Sequence, residues 1–107
     1  MFSFLLLTII GIIFSINLAK SNGGHEENTI KCIAEKSELY VSKTCGHCAA
    51  QKQILGDDLK YFRIIDCTTE YEKCAINRIR TVPSWIIKNE LYSGKKSLSQ
   101  LKELTGC

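Results

Sequence analysis

Leu39-Tyr40-Val41-Ser42-Lys43-Thr44-Cys45-Gly46-His47-Cys48 leads from a strand-like stretch into a cysteine pair that opens a helix-like one. Cysteines at this spacing share one helical turn, so their sulfurs can bond to each other. At a helix N-terminus the unpaired backbone N–H groups and the positive end of the helix favour a thiolate on the first sulfur. Cys45 is therefore expected to be nucleophilic near neutral pH, with Cys48 as its bonding partner. A second stretch carries equal weight: Thr81-Val82-Pro83-Ser84-Trp85 contains the single proline of the chain.

Outward from the cysteine pair, the pattern gives an ordered set of elements. Asn28 can cap a short helix with Ile30, Ile33 and Ala34 on its apolar side and Cys32 in its middle. Glu38 to Ser42 reads as a strand. Thr44 is the expected N-cap of the next helix, which runs through Ile54-Leu55 and stops at Gly56. Tyr61 to Asp66 is a nearly continuous apolar run, which predicts a central strand buried on both faces. Thr69 with Glu72 forms a capping-box signal for a helix with Tyr71, Cys74, Ala75 and Arg78 along one stripe. Trp85-Ile86-Ile87 and Leu91-Tyr92 flank Lys88-Asn89-Glu90 as a tight hairpin. Ser97 with Gln100 is another capping box, opening a last helix striped by Leu98, Leu101 and Leu104 and ended by Gly106. The order α-β-α-β-α-β-β-α, with a right-handed parallel β-α-β unit and an antiparallel hairpin, predicts a thioredoxin-like three-layer α/β sandwich. Its mixed sheet should have about four strands, with helices on both faces.

The chain has 107 residues, room for one domain. Phe2 to Ala19 is almost wholly apolar and uncharged, and every charged side chain lies from Lys20 onward. Residues 1–21 are expected to be a secretory signal peptide cleaved after Ser21, which places Ala19 at −3, although the n-region lacks Lys and Arg. The competing reading is an uncleaved N-terminal membrane anchor. Residues 22–27 follow as a flexible leader and 28–107 as the domain. Either way the domain faces a non-cytosolic compartment: the secretory pathway, secreted, the endoplasmic reticulum lumen or a periplasm-like space. Six cysteines in so small a domain agree with oxidising surroundings and with disulfide stapling. The end Leu104-Thr105-Gly106-Cys107 is not a Lys-Asp-Glu-Leu type retention signal. A net charge of +3, with basic residues spread along the sequence, supports no nucleic-acid or membrane-surface assignment.

The matching stretches Thr44-Cys45-Gly46-His47-Cys48 with Gln51-Lys52, Ile65-Asp66-Cys67, Cys74, Val82-Pro83-Ser84-Trp85 and Leu91-Tyr92-Ser93-Gly94 leading into Ser97-Leu98 and Leu101 give a family resemblance. Over about residues 28–106 the chain resembles the thioredoxin-like domain attached to bacterial and plant vitamin K epoxide reductase homologues. Its Cys-Gly-His-Cys is shared with protein disulfide isomerase. The resemblance implies a thiol–disulfide oxidoreductase in which Cys45 attacks and Cys48 resolves, Cys67 and Cys74 form a second disulfide, and Pro83 is cis beside the cysteine pair. It implies cysteine-containing protein or peptide substrates, and a separate chain resembling vitamin K epoxide reductase as membrane redox partner. No cofactor is expected beyond the redox-active Cys45–Cys48 disulfide. Thr44 stands where the wider superfamily has Trp, and Leu39 where thioredoxin and protein disulfide isomerase place a buried carboxylate.

His47 can donate to the Cys45 thiolate, lowering its pKa and making the disulfide more oxidising. That points to the oxidase or isomerase direction. Val82 can offer its backbone N–H and C=O to an extended substrate strand. A bridge from Cys67 to Cys74 would tie the strand exit to the helix; its expected role is structural, the alternative a redox relay. Cys32 and Cys107 have no assigned pairing. The first and last helices are expected on opposite faces of the sheet, which argues against a bond within one monomer and leaves an intermolecular disulfide or two free thiols. Two other classes compete: a zinc module using Cys45, Cys48, Cys67 and Cys74, and a catalytically silent, disulfide-stapled secreted binding protein.

Overall fold

The computed structural model describes residues 26–107. The expected signal peptide and all of the leader except Glu26 and Glu27 lie outside the described residues. Those two glutamates are already helical, so Asn28 lies within the first helix and does not cap it.

The described part of that helix, α1, covers residues 26–35. It is followed by β1 (Ser37–Val41), α2 (Gly46–Leu55), a 3-10 turn (Gly56–Tyr61), β2 (Arg63–Asp66), α3 (Tyr71–Ile76), β3 (Ser84–Ile87), β4 (Glu90–Ser93) and α4 (Leu98–Thr105). The sheet has four strands in the order β2-β1-β3-β4. β1 and β2 are parallel, with Tyr40 opposite Ile65, while β3 runs antiparallel to both β1 and β4. This is the thioredoxin-like sandwich that the pattern predicts.

Alternation along the strands divides the core in two. Leu39, Val41, Trp85 and Ile87 point to one face, where Ile33 and Ala34 of α1, Cys48 and Leu55 of α2 and Leu101 of α4 cover them. Tyr40 and Ile65 point the other way and meet Cys74 of α3. Phe62 packs edge-on to Trp85 with ring centroids 5.7 Å apart. Burying each such large side chain contributes about 1.5–3 kcal/mol, so the three-helix face carries most of the stability. The expectation that α1 and α4 lie on opposite faces is overturned: both pack on the α2 side, and α3 alone covers the other.

Local signals with short reach are realised. Ser97 Oγ accepts from Gln100 N (3.1 Å) while Gln100 Oε1 accepts from Ser97 N (2.9 Å), closing the capping box. Gly106 takes the left-handed conformation (φ 75°) that ends α4. Lys88 and Asn89 both have positive φ (51° and 67°), the geometry of a two-residue hairpin whose twist matches its strands.

Three other expectations are corrected. β2 is an edge strand, not a central one, and begins at Arg63; the apolar Tyr61 and Phe62 belong to the turn before it. The Thr69–Glu72 box does not form. α3 begins one residue later, with Glu70 at its N-cap making no side-chain cap bond, because Thr69 Oγ1 donates instead to the Asp66 carbonyl (3.3 Å). Nor does α3 bury a stripe: Cys74 is buried, Tyr71 is 74% exposed, and Arg78 lies beyond the helix end.

Candidate redox site

The loop after β1 delivers Cys45 to the N-cap of α2 in an extended conformation (φ −126°, ψ 107°). Its Sγ accepts the backbone N–H of Cys48 at 3.1 Å, as a serine or threonine hydroxyl does at other helix starts. The expected cap, Thr44, therefore sits one residue too early: Cys45 O already accepts the first helical bond, from Ala49 N at 3.2 Å. The first sulfur of the pair thus caps α2 through the Cys48 amide. Cys45 and Cys48 are disulfide-bonded with Cα atoms 5.2 Å apart. Cys45 is half-buried, whereas Cys48 is 2% exposed, so an incoming group can reach only the first sulfur.

Val82 and Pro83 lie against that sulfur. The Val82 carbonyl oxygen is 3.5 Å from Cys45 Sγ. The bridged sulfur has no proton, so this is a contact; the reduced thiol could donate there. The Val82–Pro83 peptide bond is cis and Pro83 is buried. Hydrogen bonds hold the loop on both sides: Ser84 Oγ donates to Thr81 O (2.6 Å), and Gly94 N donates to Pro83 O (2.8 Å). The structure thus brings together Cys45, Cys48, Val82 and Pro83 from two separate segments. His47 is exposed on the first turn of α2, and among the described residues its ring has no hydrogen-bond partner. Leu39 is fully buried, and among the described residues the buried polar side chains are Ser37, Gln51, Ser84 and Thr105, with no carboxylate.

Gln51 belongs to the matching stretches, but sequence reasoning missed its role beside the site. One turn beyond Cys48 and fully buried, its Oε1 accepts from Trp85 Nε1 (3.1 Å) and Lys96 N (2.7 Å), while Nε2 donates to Lys96 O (2.9 Å). It pins α2 to β3 and to the loop before α4. Its signal was a polar residue at a core position of the helix, whose partners lie 34 and 45 residues away.

The second bridge joins Cys67 to Cys74 across seven residues, with Cα atoms 5.7 Å apart. It packs with Tyr40 and Ile65, on the face opposite Cys45 and Cys48. The four sulfurs therefore do not converge, and the zinc module is not formed. The third bridge corrects the open pairing. Cys32 and Cys107 are bonded within the chain, with Cα atoms 6.1 Å apart. The ends of α1 and α4 meet on the shared face, where Lys36 Nζ donates to Thr105 O (3.4 Å). Next to the site, the Thr68 amide donates to Asp66 and holds its carboxyl below the usual carboxylate range. Burial pushes the Tyr40 hydroxyl up to about 12, aided by the Glu38 carboxylate it donates to.

A cavity of about 820 Å³ lies between α1 and α4 over Ile30, Ile33 and Leu98 and does not touch the cysteine pair.

No protein-family model matches the chain. Fold and cysteine pair together define a thioredoxin-like redox domain. The chain is 32% identical over 79 residues to the Thiol-disulfide oxidoreductase LTO1 of Arabidopsis thaliana, a match covering 65% of this chain and 21% of the relative. It spans about a fifth of that relative's length.

Proposed function

We propose that this protein is a thiol–disulfide oxidoreductase that oxidises or isomerises cysteine-containing protein or peptide substrates through Cys45 and Cys48. The observation that carries the reading is the asymmetry of the pair. A reachable sulfur sits at the N-terminus of α2, against the loop of Val82 and Pro83, and is bonded to a buried one. In the oxidative direction a substrate thiolate attacks Cys45 Sγ. The Cys45–Cys48 bond breaks and Cys48 leaves as a thiolate that takes up a proton. A second substrate thiolate then attacks the substrate sulfur of the mixed disulfide and expels Cys45 as a thiolate. The substrate loses two electrons and two protons, and the pair takes up both. In isomerisation the Cys45 thiolate attacks a substrate disulfide, and Cys48 displaces the substrate if rearrangement stalls.

The amide of Cys48 and the α2 N-terminus stabilise the Cys45 thiolate, making it a good leaving group. In the reduced pair the exposed His47 adds to this when protonated. Val82 offers backbone groups to the substrate strand beside the sulfur. Cys67–Cys74 acts structurally, a reading that its packing on the face opposite Cys45 supports. The compartment is oxidising and non-cytosolic, consistent with three disulfides among the described residues, and a separate membrane protein resembling vitamin K epoxide reductase reoxidises the pair. A dithiol-peptide oxidation assay with Cys45→Ser as control tests the reading. Equal rates for the two proteins would instead favour a silent, stapled binding protein.

A further inference from the structure

Basic residues that are scattered along the sequence gather around the redox site. The C-terminal ends of β1, β2 and β4 and the N-terminal end of β3 meet at the edge of the sheet that carries Cys45. The connections there hold Lys43 before Cys45, Arg78 and Arg80 before Val82, and Lys95 and Lys96 after β4, against the carboxylates of Glu70 and of Asp66 at the end of β2, whose charge Lys43 feels. Lys43, Arg78, Arg80 and Lys95 are exposed, and none has an ion-pair partner among the described residues. The opposite end mixes signs: Lys36, Lys60 and Lys88 with Asp57 and Asp58.

One of these cations sits where local structure disfavours it. Arg78 follows α3 with φ 57°, donating its N–H to Ala75 O (3.1 Å), while Ile79 N reaches Cys74 O (2.9 Å). That is a helix-ending turn whose left-handed residue is ordinarily Gly or Asn. A side chain carrying Cβ is costly there, and residues kept in such conformations cluster at binding and catalytic sites.

We propose that this basic rim is a docking surface for acidic polypeptide, so that the preferred substrates carry Asp or Glu close to the reacting cysteine. The proposal rests on the redox reading above and specifies its substrate class. Exposed, unpaired cations around a reactive sulfur raise the local concentration of acidic segments and their encounter rate. Arg80 lies two residues before Val82, and Lys95 follows Gly94, whose N–H donates to Pro83 O, so both cations are carried by the segments that flank an extended strand laid beside that loop.

The test uses two dithiol peptides of equal length, one with acidic and one with lysine residues flanking the cysteines, and the intact protein. At low ionic strength kcat/KM should favour the acidic peptide by about tenfold, with the gap closing as salt is added. Arg78→Gly with Arg80→Gln should lose most of that preference, while Lys36→Gln with Lys88→Gln at the far end keeps it. Arg78→Gly alone should melt at or above the wild-type temperature while narrowing the preference, which separates docking from folding. Equal rates for the two peptides at every salt concentration, or a preference that survives Arg78→Gly with Arg80→Gln, would overturn the proposal and leave the redox centre standing. Failure of the wild type to oxidise either peptide or a small dithiol would instead remove the redox reading and this proposal with it.

Discussion

Removing the Cys32–Cys107 bridge by Cys32→Ala with Cys107→Ala should cost the fold more than removing any other pair. The two cysteines are 75 residues apart, so the bridge restrains nearly the whole domain in the unfolded chain. The chain-entropy relation gives about 4.5 kcal/mol at 25 °C for a loop of that length, against about 2.4 kcal/mol for the seven-residue loop of Cys67–Cys74. A domain of this size has about 5–10 kcal/mol in total, so the double variant should be marginal. At about 4–8 °C per kcal/mol its melting temperature should fall by about 20–35 °C. The assay is denaturant unfolding of wild type, the 32/107 variant and a Cys67→Ala with Cys74→Ala variant, all without reductant. The bridge joins the ends of α1 and α4, near the β3–β4 turn and at the far end of the sheet from Cys45, so the folded variant should still exchange disulfides. A smaller loss for the 32/107 variant than for the 67/74 variant would refute the loop-length reasoning.

Two further outcomes follow from buried polar groups. Gln51→Ala leaves the indole N–H of Trp85 and the amide of Lys96 without acceptors, at about 1–3 kcal/mol each. A urea midpoint shift worth about 2–6 kcal/mol should result, and Trp85, the only tryptophan, reports it by fluorescence; an unshifted midpoint would contradict the pinning role. Tyr40 has its folded pKa raised from 10.0 to about 12, so the folded state holds its proton longer than the unfolded chain does. Its contribution is complete below about pH 10 and is lost as pH rises towards 12, so wild type should weaken over that window more steeply than Tyr40→Phe. Parallel profiles for the two proteins would count against it.

What the sequence revealed was local. The hairpin at Lys88-Asn89, the Ser97–Gln100 box and the stops at Gly56 and Gly106 each depend on residues within one turn of chain, and each is realised. So does the placing of Cys45 at a helix start, wrong by only the one residue that makes a sulfur the cap. The errors came from information that resides in tertiary packing. An apolar run cannot tell a central strand from an edge strand that follows an apolar turn, so β2 was misplaced. Which face a helix covers depends on the whole topology, and with it the Cys32–Cys107 pairing. Gln51 reads as one more polar helix residue until Trp85 and Lys96 are brought to it. Likewise Lys43, Arg80 and Lys95 become neighbours of one site only because three strand ends meet there.

The central claim is that the Cys45 sulfur is an activated, reachable nucleophile. The most direct measurement is the pH dependence of alkylation of the reduced protein, read at each cysteine by mass spectrometry after brief, mild reduction. Cys45 should be labelled first, with a midpoint well below the ~8.5 of an ordinary thiol, while Cys67 and Cys74 remain bridged. A Cys45 midpoint at or above ~8.5, or labelling of Cys67 and Cys74 ahead of it, would contradict the account.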